Sequence, residues 1–283
     1  MLDGEFKLSF YETTTNREAE DLSEKSILNG TDYIIAVGGD GTLSEVINGV
    51  MRVHKAKRRN LIVGLLAAGS GNDFARTMNL TKNIFDLYNL IRNNKTILID
   101  IGKLEFKTMS GEDSTRYFDN IADVGLGAEV AKRVNDGNKT YGPNFAFFSA
   151  TILGFLNYKR KRVKIESSIF NWEGNILILC LANGKYFGSG LGIAPHAKVN
   201  DGKLAVTLAG DISLIDYLKN LIRIRKCIQI NHPHVIYKEV ESCLIKPVGA
   251  ECLIEADGEM IGKIPLKVSI LPHEIKFLSS IEL

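Results

Sequence analysis

Tyr33-Ile-Ile-Ala-Val-Gly-Gly-Asp-Gly-Thr-Leu-Ser-Glu-Val-Ile-Asn-Gly-Val-Met51 is the stretch on which the fold turns. Tyr33 to Val37 is an unbroken apolar run, the mark of a strand covered on both faces. It stops at Gly38-Gly39-Asp40-Gly41, after which Leu43, Val46, Ile47, Val50 and Met51 recur at helical spacing. The same unit follows at once: strand Leu61 to Leu66, glycine turn Gly69-Ser-Gly-Asn-Asp73, and helix through Phe74 to Met78. Further out, Phe6 to Tyr11 and Thr96 to Ile101 read as strands, and Glu18 to Leu28 and Ile84 to Ile91 as helices. Strand–helix–strand order predicts an α/β domain over residues 1–103, with a mostly parallel sheet and helices on both faces.

Beyond residue 103 the pattern changes. Short alternating segments separated by Asp-Gly turns take over at Asn175 to Leu181, Lys203 to Leu208, Val240 to Ile245, Cys252 to Ala256 and Leu266 to Leu271. They predict an antiparallel β-sandwich over residues 104–273, interrupted by helices around 144–158 and 212–223. With no repeat and no low-complexity linker, the two parts are expected to pack on each other.

Composition narrows the function. A chain of 283 residues with 45% hydrophobic content can bury one large core or two. A net charge of +2 argues against a nucleic-acid binder driven by electrostatics. Cys180, Cys227, Cys243 and Cys252 are widely spaced, which fits reduced core thiols in a cytoplasmic protein. The first residues have no signal-peptide character, and the apolar stretch Phe145 to Leu156 is too short to span a bilayer. That stretch reads as a core helix. Its aromatic content and the following Lys159-Arg-Lys-Arg162 also suit an interfacial element, transient at a membrane.

Chemistry is expected at the two glycine turns, because ligands bind beyond the carboxyl ends of strands in such sheets. Glycines let backbone N–H groups close on an anion, and the helix end adds partial positive charge. Asp40 and Asp73 beside phosphates would repel them unless a cation intervenes, so they point to Mg²⁺. Capping of the helix ends is the bland alternative for both. No GxxxxGK[ST], HExxH, GxSxG or protein-kinase HRD or DFG set is present, and Phe74 takes the place of the third dinucleotide glycine.

At these residues the sequence resembles the diacylglycerol kinase catalytic-domain family, which includes bacterial soluble lipid kinases and sphingosine and ceramide kinases. An ordered series carries the resemblance: GGDGTLSEVING (38–49), AAGSGNDFAR (67–76), DIGKL (100–104), YFDNIADVGLGAEV (117–130), NGKYFGSGLGIAPHAKVNDGKL (183–204) and EADGE (255–259). GGDGT alone marks only a superfamily shared with NAD kinases and phosphofructokinase-like enzymes. The GSGNDFAR and APxAxxxDG elements narrow it to lipid kinases.

The resemblance implies ATP held by Gly38, Gly39, Asp40, Gly41, Thr42, Leu43, Ser44 and Glu45, with Thr13, Gly69, Ser70 and Asn72 also at the nucleotide. It implies catalytic Mg²⁺ held through Asp40, Asp73 and Asp100, and a structural Mg²⁺ at Lys198, Asp201 and Lys203. Glu259 becomes the general base, beside Asp40 as the second catalytic residue, and residues 274–283 can return to the first domain. The partner is a lipid alcohol at the membrane surface; the oligomeric state, a homodimer included, stays open. Two departures stand out. The family's first strand, with its asparagine-proline phosphate turn, is absent, which points to an incomplete amino terminus. Ala67-Ala68-Gly69-Ser70 replaces proline-x-glycine-threonine, keeping the hydroxyl.

The expected reaction is in-line transfer of the terminal phosphate of ATP, with charge neutralisation as the main task. Another GGDGT kinase such as an NAD kinase is the nearest rival, and a catalytically silent nucleotide- or lipid-binding regulator is the second. Diacylglycerol and other lipid alcohols are equally compatible with the sequence.

Overall fold

The computed structural model describes residues 6–136 and 143–281. In its first part α1 (Glu18–Leu28), β1 (Tyr33–Gly38), α2 (Asp40–Arg52), α3 (Lys55–Arg58), β2 (Ile62–Ala67), α4 (Asp73–Thr77) and α5 (Ile84–Arg92) lead to β3 (Thr96–Lys107). Next come β4 (Asp113–Phe118), β5 (Ile121–Gly125), α6 (Leu126–Asp136), α7 (Pro143–Asn157), β6 (Lys161–Glu166), β7 (Trp172–Ile176) and β8 (Ile178–Ala182). The chain closes with β9 (Leu204–Ala209), α8 (Leu214–Arg225), β10 (Val235–Val240), β11 (Ser242–Pro247), β12 (Leu253–Ala256) and β13 (Glu259–Leu278).

The first sheet is mixed, with β1, β2 and β13 running parallel and one antiparallel member, β3. β1 pairs parallel with β2, and β2 with Lys276 and Phe277 of β13, but β13 runs antiparallel to β3. The cause is long-range: the last strand of the chain inserts between β2 and β3, and β3 turns directly into β4 instead of crossing over through a helix. Leu43, Ile47, Phe74 and Phe277 are fully buried in one core on the α2 side. Leu90, Ile91 and Leu278 form a smaller core on the α5 side, so both faces are covered.

β13 is the beam of the molecule. Its 20 residues pair with β12 and β11 in the sandwich, then with β3 and β2 in the first sheet. The register shifts between Leu271 and Ile275, where His273 takes φ +52°. The sandwich core is built on alternate inward residues such as Leu104, Phe118, Ile165, Val206, Leu208, Ile254 and Val268.

Several element boundaries differ from the sequence expectation. Phe6 to Tyr11 is not a strand: Phe6 makes an isolated bridge and stacks edge-on against Tyr33 at 6.0 Å, but Phe10 is 87% exposed. Asn175 to Leu181 breaks at Leu177, whose N–H turns to the Ala209 carbonyl. Val240 to Ile245 splits at Glu241 into β10 and β11. The stretch Phe145 to Leu156 lies in α7; the side chains of Phe145 and Ala146 fall outside the described residues. Among the described residues, no helix is long and apolar enough to cross a membrane.

Candidate active site at the glycine turns

The two glycine turns meet backbone to backbone. N–H groups of Ala68 and Gly69 donate to the Gly38 carbonyl at 2.9 and 3.1 Å. A Cβ at Gly69 would fall 2.3 Å from the Gly39 Cα, and one at Gly38 would strike the Thr42 hydroxyl. These glycines are therefore required by the fold itself. Gly41 is different: a Cβ there would meet nothing within 4 Å, and the residue is exposed. Glycine at the first turn of a helix, where alanine would be more favourable, leaves room for something outside the chain. No side chain caps the N-terminus of α2, so its first N–H groups face that room.

Asp40 and Asp73 converge. The Asp40 carboxylate accepts from the N–H groups of Asp73 and Phe74 at 3.1 and 3.0 Å, capping the short helix α4. Asp73 in turn accepts from Ser189 and Gly190 at 2.8 and 2.7 Å. Between them lies Gly71: a Cβ there would sit 3.1 Å from Asp40 Oδ2, 3.6 Å from Asp73 Oδ2 and 3.7 Å from Ser189 Oγ. Burial, followed by the Asp40 charge, pushes the Asp73 carboxyl up to about 6, against the two backbone donors. Two carboxylates forced together beside a glycine gap suit a cation. Among the described residues no three acidic, histidine or cysteine side chains cluster as a ready metal cage.

The other expected nucleotide residues divide. Leu43 and Ser44 are buried in the core side of α2, and the Ser44 carbonyl accepts from Asn48. Glu45 accepts from the Ala19 N–H at 3.1 Å, so its side chain serves the start of α1. Asn72, at φ +53°, donates to the Gly69 carbonyl at 2.6 Å and braces the second turn. Ser70 is exposed at the turn, and Thr13 is exposed in the irregular segment before α1.

Asp100 is not drawn into the Asp40–Asp73 pair. Its carboxylate accepts from Gly202 at 2.7 Å and His273 at 2.8 Å, tying the 199–203 loop to the irregular point of β13. Burial raises its carboxyl, and the nearby charges acting on it are those of His273 and Asp201. Asp201 is exposed and accepts the Lys203 N–H at 3.1 Å, while the Lys203 ammonium pairs with Glu239. This loop closes on its own hydrogen bonds. Lys198, exposed like Asp201, is the remaining residue of the expected structural Mg²⁺ site, to which the loop would offer the Asp201 carboxylate and the backbone carbonyls of Lys198 and Lys203.

Two family profiles match the chain. The diacylglycerol kinase catalytic domain matches residues 2–104, and the YegS C-terminal NAD kinase beta sandwich-like domain matches residues 120–279, more than half the sequence. The chain belongs to the diacylglycerol kinase catalytic-domain family. It is a lipid kinase of that family, with the β-sandwich of its YegS branch. Among curated relatives, a diacylglycerol kinase of Staphylococcus haemolyticus is 28% identical over 276 residues, covering 96% of this chain and 78% of the relative. A probable YegS-like lipid kinase of Yersinia pestis is 26% identical, covering 93% and 84%. The crystal structure of a diacylglycerol kinase from Bacillus anthracis shares the fold at TM-score 0.68 and 18% identity, covering 95% of this chain and 83% of that one.

Within this lipid kinase the DGE turn approaches the glycine turns through Asp119. Asp257 accepts the N–H groups of Asp119, Asn120 and Ile121 at 3.1 to 3.3 Å, locking the turn to the start of β5. Asp119 is buried, and its carboxyl is raised by burial, then by the charges of Asp257 and Asp40. Glu259 Oε2 receives Arg116 Nη2 at 3.1 Å, and the other end of Arg116 reaches Glu20 of α1 at 2.7 Å. The Arg116 side chain is 7% exposed, so this triad ties α1, β4 and β13 together beneath the turn.

Sequence reading alone missed Arg116, Glu20, Asp119 and the pair Ser189–Gly190. The last pair had a signal: Gly188, Ser189 and Gly190 all adopt positive φ, a backbone nest whose N–H groups point at Asp73. Arg116 had none, because its partners lie 96 and 143 residues away.

Proposed function

We propose that this chain transfers the terminal phosphate of ATP to the hydroxyl of a lipid alcohol, diacylglycerol or a related lipid, with Mg²⁺. The observation that carries the reading is the open N-terminus of α2 beside the Asp40–Asp73 pair, with Gly41 left free of side-chain bulk. N–H groups of the α2 first turn would hold phosphate oxygens, and the helix end would favour their charge. Mg²⁺, when bound by Asp40 and Asp73, would offset the charge between carboxylates and phosphates. Arg76 lies beside Gly190 and 5.5 Å from the Tyr186 ring centre, and is a further cation near the phosphate site.

Glu259 would take the proton of the attacking hydroxyl. Arg116 orients it through Oε2, and the side chain is 37% exposed, open to an incoming hydroxyl. An apolar cavity of about 100 Å³ between α6, α7, α8 and the β8–β9 sheet, lined by Phe147, Phe155, Leu191, Tyr217 and Ile224, gives an acyl chain an apolar seat.

The test is incubation of the purified chain with γ-labelled ATP, Mg²⁺ and a panel of lipid alcohols. Label in an organic-extractable product supports the reading. Label in NADP, or nucleotide binding without transfer, overturns it.

A further inference from the structure

Helix α8 has two opposed faces of different use. Tyr217, Asn220 and Ile224 line the apolar cavity. Ile215, Leu218 and Ile222, at i, i+3 and i+7, lie on the other side and are 63%, 45% and 71% exposed. Placed on a 3.6-residue wheel, Arg225 flanks this stripe on one side, and Lys219 and Arg223 on the other, with Lys226 in line with it. All four cations are exposed, and among the described residues none forms an ion pair. The helix's acidic residue, Asp216, stays on the cavity side, hydrogen-bonded to Ser213 in the capping box. The α7 side adds Leu153 and Leu156, 48% and 67% exposed, and Phe155 stacks on Tyr217 at 5.1 Å to join the helices.

The basic run after α7 is less free. Arg160 pairs with Asp211 and Arg162 with Glu173. In that run the two arginines are thus compensated, whereas α8 carries four exposed cations with no ion pair among the described residues.

We infer that the outward face of α8 is a docking surface for an anionic lipid bilayer, which brings the helix that walls the apolar cavity to the membrane. Exposed aliphatic side chains flanked by unpaired Lys and Arg are what an interfacial helix needs: the aliphatics enter the acyl boundary and the cations reach the headgroups. A second copy does not fit this surface. A two-fold contact through α8 would bring Lys219, Arg223, Arg225 and Lys226 of both copies together with no acid between them.

The inference deepens the lipid-kinase reading, and vesicle binding by the full chain tests it without turnover. Co-sedimentation would be measured with phosphatidylcholine vesicles, with and without about one quarter phosphatidylglycerol, at roughly 0.1 M salt. The variants are K219Q/R225Q/K226Q and L218Q/I222Q. The wild-type chain should bind the anionic vesicles and not the neutral ones. Removing three cations should weaken the partition by roughly 10²-fold, and the apolar double substitution by about tenfold or more. Both variants alter exposed positions and should keep the wild-type melting temperature and turnover on a monomeric short-chain lipid. Unchanged vesicle binding by either variant overturns the inference, as does a wild-type dimer that L218Q/I222Q dissociates. A chain that docks through α8 but transfers no phosphate would leave this inference standing and sink the kinase reading.

Discussion

Asp73→Asn separates what the site needs from what the fold prefers. Asp73 is 4% exposed, and its carboxyl is pushed from an ordinary 3.8 up to about 6 by burial and by Asp40. A displacement of roughly two pH units, at about 1.4 kcal/mol each, makes its charge cost about 3 kcal/mol. The sign follows from proton counts. Between about pH 4 and pH 6 the native state holds this proton and the unfolded state does not, so stability falls as pH rises through that window and is flat above it. Asparagine removes the charge cost. It keeps one acceptor for the two donors at Ser189 and Gly190, and so forfeits about 1–2 kcal/mol. In EDTA at about pH 8 the variant should therefore be about 1–2 kcal/mol more stable than the wild type; near pH 4.5 it should be no more stable, or less so. Melting temperatures across roughly pH 4.5 to 8 read the crossover. Mg²⁺ should raise the wild-type melting temperature at the alkaline end and leave that of the variant nearly unchanged. If Asp73→Asn destabilises equally at both ends of the range, the claim that the site stores charge repulsion for a cation is refuted.

Further outcomes follow from the same geometry. Asp40→Ala should lose activity and about 1–2 kcal/mol of stability, because α4 loses its cap, whereas Asp40→Asn should lose activity with a smaller stability change in urea melts. Gly41→Ala should fold as well as the wild type but raise KM for ATP about tenfold or more; Gly69→Ala should unfold more easily, since its Cβ would collide with the Gly39 backbone. Glu259→Gln should cost roughly 10²-fold or more in kcat with only a small fall in melting temperature, since the glutamine amide oxygen still accepts from Arg116. Arg116→Met should instead cost about 1–3 kcal/mol of stability, because the buried Glu20 carboxylate loses one of its two cations and keeps only Arg52.

The local part of this architecture was readable from the chain. Buried strand, glycine turn and amphipathic helix follow directly from Tyr33 to Met51, and those elements stand where the periodicity puts them. The sheet's mixed direction was not readable. The resemblance implied that the chain end returns to the first domain, but nothing local in Ile275 to Leu278 names β2 and β3 as the partners between which β13 inserts. The site shows the same division. Glycine and aspartate spacing pointed to Asp40 and Asp73, which do meet. The Asp100 carboxylate is held instead by Gly202 and His273, because Val199 and the β13 irregularity lie closer in space than in sequence. The α6 helix over Leu126–Asp136 was hidden by its low apolar content and the two glycines that open it.

The most direct measurement is a crystal structure of the chain with ADP and Mg²⁺. The account predicts phosphate oxygens against the N–H groups of Gly41 and Thr42, and a metal ion between the carboxylates of Asp40 and Asp73. Nucleotide bound elsewhere, with Asp40 still capping α4 and no ion beside Gly71, would contradict it.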